Sequence, residues 1–165
     1  MKNYKAPWSA SLVVISLVAS IVLVGTAVAL LVRDPHALAG WLLVAVVFLG
    51  ALFVIRGYAI SPNALLVRRL FWSTRLPLAD LEAAQVVPDV MDGSWRLFGN
   101  GGLFTFSGLY RNETLGRYRA YVTNPHRTVV LRYPARTVVV SPSDPEEFVR
   151  ELVGSRGTDL RPSAR

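Results

Sequence analysis

The order of apolar and polar positions divides the chain into two textures. Residues 8–32 form a run of 25 without a charge, which at about 1.5 Å per residue covers a hydrocarbon core roughly 30 Å thick. A second uncharged run of 19 residues, 37–55, follows after only Arg33, Asp34, Pro35 and His36. The pattern predicts two transmembrane helices, 8–32 and 37–55, and so short a link makes them an antiparallel hairpin. Trp8, Trp41 and Tyr58 fall near the ends of these runs, where amphipathic rings prefer the headgroup level. Ser16 and Ser20 on the first run, and Gly40 and Gly50 on the second, offer small surfaces for close helix packing. Neither span carries an ionisable residue, so the hairpin reads as an anchor rather than a transport path.

Beyond Arg56 the runs shorten to five to eight residues rich in Val, Tyr, Leu and Thr, broken by Gly, Pro, Asn and Ser. That is the pattern of antiparallel strands, predicted at 57–61, 64–71, 74–77, 81–87, 116–123, 127–133 and 136–141. Pro62-Asn63, Asn124-Pro125-His126 and Pro134-Ala135 supply turns. In the strand at 116–123, alternation sets Tyr118, Ala120 and Val122 on a core face and Arg117, Arg119, Tyr121 and Thr123 on a wet one. The period then changes. Asp144 caps a helix that starts at Pro145 and carries Glu147 in its first turn, with Phe148, Val149, Leu152 and Val153 as its apolar stripe and Gly154 as its end. Residues 155–165 have no apolar pattern and are expected to be disordered. The expected division is a membrane hairpin over 1–56, a β-rich domain over 57–154 and a tail over 155–165.

Composition agrees with a membrane setting: of 165 residues, 52% are hydrophobic and only 18% charged, with mean hydropathy +0.38, greasier than an ordinary soluble domain. The formal charge is +7, which favours anionic partners. Lys2 and Lys5 precede the first run, and residues 56–165 hold fifteen arginines against ten acids. The positive-inside rule then puts both termini and the β-rich domain on the cytoplasmic side of an inner membrane, as a multi-pass protein. Ala27-Val28-Ala29 after a basic N-terminus also resembles a signal cleavage site, although the apolar run continues past it; cleavage there leaves the C-terminal domain on the same side.

The absence of cysteine excludes disulfides, thiolate metal sites and cysteine catalysis, and two histidines leave little for a metal site or triad. No catalytic residue, metal or cofactor is expected. Asp89 and Asp92 read as loop acids, His126 as a turn residue, and Ser107, Ser141 and Ser143 lack a nucleophile-elbow context. The bend at Gly99, Asn100, Gly101 and Gly102 reads as a turn or bulge rather than a phosphate nest. Asn112-Glu113-Thr114 matches a glycosylation acceptor that is inert on the cytoplasmic side.

Seven strands followed by one amphipathic helix is the order of a pleckstrin-homology-like domain. Closer likeness lies in Tyr58-Ala59-Ile60-Ser61 leading to Leu66-Val67-Arg68-Arg69-Leu70-Phe71, in Arg75-Leu76-Pro77-Leu78-Ala79-Asp80-Leu81, and in Arg96-Leu97-Phe98-Gly99 with Gly101-Gly102-Leu103-Phe104. It continues through Gly116-Arg117-Tyr118 and Tyr121-Val122-Thr123 to the segment from Val138 through Ser141 to Phe148. In the order of these pieces the chain resembles the bacterial pleckstrin-homology-domain membrane proteins, in which a transmembrane hairpin precedes such a domain. The resemblance implies a mainly-β PH-like barrel or sandwich capped by a C-terminal α-helix, and a noncatalytic binding role without a defined ligand.

The arginines are the remaining candidates. Arg68, Arg75, Arg117 and Arg119 are the candidate ligands of an anionic phospholipid headgroup, whose phosphate suits the guanidinium fork. Arg69, Arg127, Arg132 and Arg136 belong to the same set, and the competing account is a solvated positive face. Strand alternation puts Arg68 and Arg69 on opposite faces. No nucleic-acid partner is expected, because no aromatic array interleaves the charges. Trp72, Trp95, Phe98, Phe104 and Phe106 are assigned to the core, with an exposed apolar surface as the alternative. The expected function is a membrane-anchored binding or scaffolding module for lipid headgroups or a protein partner. The alternative is an accessory or self-associating subunit of a membrane complex.

Overall fold

The computed structural model describes residues 2–157. Strand β1 (Lys2–Lys5) precedes two helices, α1 (Ala10–Arg33) and α2 (Leu38–Leu52). Nine strands follow: β2 (Ile55–Ser61), β3 (Ala64–Arg69), β4 (Ser73–Pro77), β5 (Ala83–Val86), β6 (Trp95–Gly101), β7 (Phe106–Asn112), β8 (Gly116–Val122), β9 (Val129–Tyr133) and β10 (Arg136–Val140). Helix α3 (Pro145–Gly157) closes the chain.

Helix α1 is capped by Ser9, whose hydroxyl accepts from the Leu12 amide at 3.2 Å. Its 24 residues span about 36 Å, and it is the one described helix long and apolar enough to cross a membrane. The second expected span is shorter than its apolar run. Helix α2 has 15 residues, about 22 Å, because Phe53 ends it and the chain enters β2 at Ile55. The link is tied by the Asp34 carboxylate accepting from the His36 amide and by Trp41 Nε1 donating to the Pro35 carbonyl. Gly40 meets Leu31 across the helix pair, where a Cβ atom would stand 2.7 Å from Leu31 Cγ. Ser16 and Gly50, expected between the helices, instead face the β6–β7 turn: Ser16 Oγ donates to Gly102 O (3.1 Å) and accepts from Phe104 N (2.8 Å), and Gly50 lies against Leu103.

The strands form two sheets, β1-β2-β3-β4 and β5-β9-β10-β8-β7-β6, in which β10 and β8 run parallel and the other pairs antiparallel. The seven strands read from the pattern correspond to β2, β3, β4, β5, β8, β9 and β10. Three more went unannounced. β1 is four residues long, and β6 and β7 carry Gly99, Gly101 and Gly108 and lack a clean alternation. Gly99 has φ +106° and packs directly on the Ser107–Gly108 backbone, an approach that leaves no room for a side chain.

The main core lies between the sheets and under α3, built from Tyr58, Leu65, Val67, Leu76, Leu131, Val138, Val140, Phe148 and Leu152. A second cluster, with Val90, Tyr110, Tyr118, Ala120, Val122, Val130 and Val139, covers the opposite face of the six-stranded sheet. Strand β8 therefore departs from the expected one dry face and one wet face. Tyr121 and Thr123, on the side of Arg117 and Arg119, are buried as the strand runs into the core. The 87–94 segment closes the second cluster, held by Asn112 Nδ2 donating to Val90 O (2.7 Å) and by Tyr118 donating to Ser94 Oγ (2.7 Å).

One hydroxyl joins the sheets. Tyr58 on β2 is fully buried, donates to Tyr121 O at 2.6 Å and accepts from Ser141 N at 3.1 Å. Ser141 Oγ in turn accepts from the Thr123 and Asn124 amides. Helix α3 begins as expected, with Asp144 accepting from the Glu147 amide at 2.9 Å, but it continues through Gly154 to Gly157, and Val153 points outward. Lys2 reaches Glu147 (2.7 Å) and Glu151 (3.3 Å), which fastens β1 to this helix. Most of the expected disordered tail, 158–165, lies outside the described residues.

Candidate functional site

The four strands of the smaller sheet contain no acidic residue, yet they carry Lys2, Lys5, Arg56, Arg68, Arg69 and Arg75. Alternation sorts them. Lys2 and Arg69 share the inner side with Tyr4, Tyr58, Leu65 and Val67, whereas Lys5, Arg68 and Arg75 occupy the outer side. The registers Lys5↔Gly57↔Arg68 and Asn3↔Ala59↔Leu66↔Arg75 run straight across the sheet, so the outer basic residues sit on neighbouring rows. Arg56, at the irregularity between Ile55 and Gly57, joins Lys5 and Arg68 around a shallow depression of about 400 Å³. Its floor is Gly57, where a Cβ atom would stand 2.5 Å from the Tyr4 carbonyl oxygen. Next to it the β3–β4 turn exposes Leu70, Phe71 and Trp72.

The four candidate arginines thus fall on two sheets. Arg68 and Arg75 share the outer face just described. Arg117 and Arg119 project from β8 on the other sheet, with Arg119 opposite Leu109 and Arg117 opposite Arg111 of β7. These four therefore fall into two pairs on different sheets.

Arg69 is the residue that sequence reasoning underweighted. Its guanidinium lies 5.6 Å from the Phe53 and Trp72 ring centroids and 5.3 Å from that of Tyr121. It donates to Thr74 Oγ1 (3.2 Å) and Ser107 Oγ (3.1 Å), and its Nε is buried without a partner among the described residues. Burial holds its pKa below the ordinary arginine value, and the nearby Arg119 charge pushes the same way. The available signal was alternation, since Arg69 continues the inward series Leu65, Val67.

The other sequence candidates resolve locally. Asn100 Oδ1 accepts from the Gly102 and Leu103 amides, so these N–H groups are consumed by the turn rather than offered to an anion. Asp89 pairs with His126 Nδ1 at 2.5 Å on the surface. Asn112 is buried, which makes it a structural residue. Trp95 and Phe98, expected in the core, are exposed on β6 at 78% and 81%, because that strand is the edge of its sheet.

Two sheets around one core, closed by a C-terminal helix, define a PH-like β-domain. A family model described as a bacterial PH domain matches residues 56–155, and the chain belongs to that family. PH domains are generally noncatalytic modules that bind lipids or proteins. No curated protein and no solved structure matches the chain.

Proposed function

We propose that the protein is a membrane-anchored, noncatalytic binding module whose α1–α2 hairpin sits in the inner membrane with both termini cytoplasmic. In this reading the outer face of the β1–β4 sheet recognises anionic phospholipid headgroups of the same bilayer. The observation that carries it is the gathering of Lys5, Arg56, Arg68 and Arg75 on an acid-free face, with Lys5 five positions before α1 and Arg56 four after α2. A basic residue near an anionic leaflet contributes about 1 kcal/mol, so four together give a selectivity that salt weakens. The exposed Leu70-Phe71-Trp72 tip supplies apolar and aromatic groups suited to the headgroup region.

The test uses full-length protein reconstituted in mixed bilayers with spin-labelled phosphatidylglycerol or phosphatidylcholine, reading the motionally restricted lipid fraction across a salt series. The expected result is an anionic preference that falls with salt and is lost in Arg68→Glu/Arg75→Glu. Equal restriction of the two lipids at low salt overturns the reading. A second reading, self-association or assembly with a membrane protein partner, is supported by edge strand β6 with its exposed Trp95 and Phe98, a geometry open to strand addition. A detergent-corrected mass above one chain that reverts in Phe98→Ser would favour it.

A further inference from the structure

A groove of about 900 Å³ lies between α2 and the β6–β8 side of the larger sheet, on the other side of β3 from the outer basic face. It has two unlike ends. One wall is apolar, with Val46 and Leu49 of α2, Phe98 of β6, Leu103 and Leu109. The other end holds Arg69 and Arg119, and no acidic residue lines the groove among the described residues; Arg96, at its rim, pairs with Tyr110 on the opposite face of β6 and lays its guanidinium against Gly101. Two like charges placed together without a counterion repel each other, as the Arg119 charge does Arg69, and an anion between them removes that repulsion.

Arg69 is the built part of this end. Three aromatic rings and two hydroxyls hold its plane, so its charge is fixed in direction before any ligand arrives. Arg119 is exposed and free to close on a bound group. Such an arrangement suits a phosphate, which accepts several guanidinium N–H groups at once. The apolar wall follows α2 from Phe53 back to Val46, about 10 Å of helix, and a free phosphate makes no use of it. An acyl chain does.

We propose that this groove binds one anionic phospholipid molecule per protein, its phosphate between Arg69 and Arg119 and one acyl chain along α2 and Phe98. The site deepens the membrane-binding reading by naming a second, stoichiometric lipid site, and it rests on that reading only for its supply of lipid. Arg69 borders both this groove and the outer depression, and the groove alone has an apolar wall for the chain.

The experiment is native mass spectrometry of the full-length protein in a neutral maltoside detergent, titrated with phosphatidylglycerol, phosphatidylcholine or inorganic phosphate. The expected result is a single phosphatidylglycerol adduct, roughly tenfold or more weaker with phosphatidylcholine, and not displaced by millimolar phosphate. Arg119→Glu, at an exposed position that leaves the core intact, should lose the adduct, and Phe98→Ser should weaken it. Arg68→Glu/Arg75→Glu, outside the groove, should retain it. An adduct that survives Arg119→Glu, equal binding of the two lipids, displacement by phosphate, or a protein dimer in place of the lipid adduct each overturns the proposal. The bilayer test reads the outer face separately: an adduct without annular selectivity refutes the headgroup-face reading alone, and selectivity without an adduct refutes this one alone.

Discussion

Replacing Tyr58 by Phe removes one oxygen from the middle of the protein, and its cost can be worked from the partners it leaves. The ring is fully buried between the sheets; its hydroxyl donates to Tyr121 O at 2.6 Å and accepts from Ser141 N at 3.1 Å. Without the oxygen, a buried carbonyl and a buried amide both lose this partner, and at about 1–3 kcal/mol for each orphaned group the expected loss is about 2–6 kcal/mol. For a domain of this size that lowers Tm by roughly 10 °C or more. The pH dependence gives an independent check. Burial pushes the Tyr58 pKa up to about 12 by disfavouring the phenolate, against an ordinary value of 10. The stability tied to this proton is therefore fully present below pH 10 and is lost as pH rises from 10 through 12. At about 1.4 kcal/mol per unit that loss is on the order of 2–3 kcal/mol. The Phe variant has no such proton to lose, so its deficit at pH 7 should shrink as pH approaches 12. Tyr110 and Tyr133, also pushed up to about 12 by burial, titrate in both proteins and cancel from the difference. The assay is thermal unfolding of the full-length protein in neutral detergent, followed by near-UV circular dichroism at several pH values. Equal Tm at pH 7, or a deficit that stays constant to pH 11.5, would refute the inter-sheet bond as described.

Three further outcomes follow from the packing. Phe148→Ala deletes a fully buried ring set edge-on to Tyr4 and Tyr58 (centroids 5.1 and 6.1 Å), and should cost about 3–5 kcal/mol in urea unfolding; an unchanged midpoint would place α3 outside the core. Ser16→Val removes the hydroxyl that both donates to Gly102 and accepts from Phe104, an expected loss of about 1–3 kcal/mol, and amide exchange across 102–105 should accelerate; unchanged exchange contradicts docking of that turn on α1. Gly99→Ala places a methyl group against the Ser107 backbone at φ +106°, so it should destabilise by more than about 1 kcal/mol, whereas Gly93→Ala, also at positive φ but in open space, should cost less in the same unfolding assay.

The legible parts of the fold were those in which one physical pattern dominates. The uncharged runs marked both helices, seven strands followed from β-branched runs between turn residues, and Asp144 with Glu147 marked the start of α3. The illegible parts mix patterns. Hydropathy overstated α2, because Phe53, Val54 and Ile55 are as apolar as a span but turn into β2. Glycines concealed β6 and β7, whose pairing rests on backbone approach rather than on side chains. For the binding surfaces, alternation separated Arg68 from Arg69, but it could not say that the Arg69 face is partly closed by Phe53, Trp72 and Tyr121. Those rings come from three distant parts of the chain. Arg119 looked wet on the same grounds that made Tyr121 look wet, and only the second sheet decides that one is covered and the other is not.

The N-terminal strand alters what the helices do for the domain. Because β1 pairs with β2, the α1–α2 hairpin is an insertion between two adjacent antiparallel strands, not a tether attached at one end. Further bonds fix the join. The Ser9 amide donates to Thr123 O, Thr123 Oγ1 donates to Pro7 O, and the Ser143 amide donates to Lys5 O. At the other end Ile55 enters the sheet three residues after α2, with no linker to act as a hinge. A module on a flexible tether gains by effective concentration and spends part of it on ordering the linker and orienting the domain. Here that orientation is set during folding, so Lys5 and Arg56 keep fixed positions relative to the helix ends, and Arg69 keeps its position relative to α2 through Phe53. Any ligand that contacts a helix and an arginine together then meets a preformed site, and its affinity depends on the contacts themselves rather than on how often the domain swings into place.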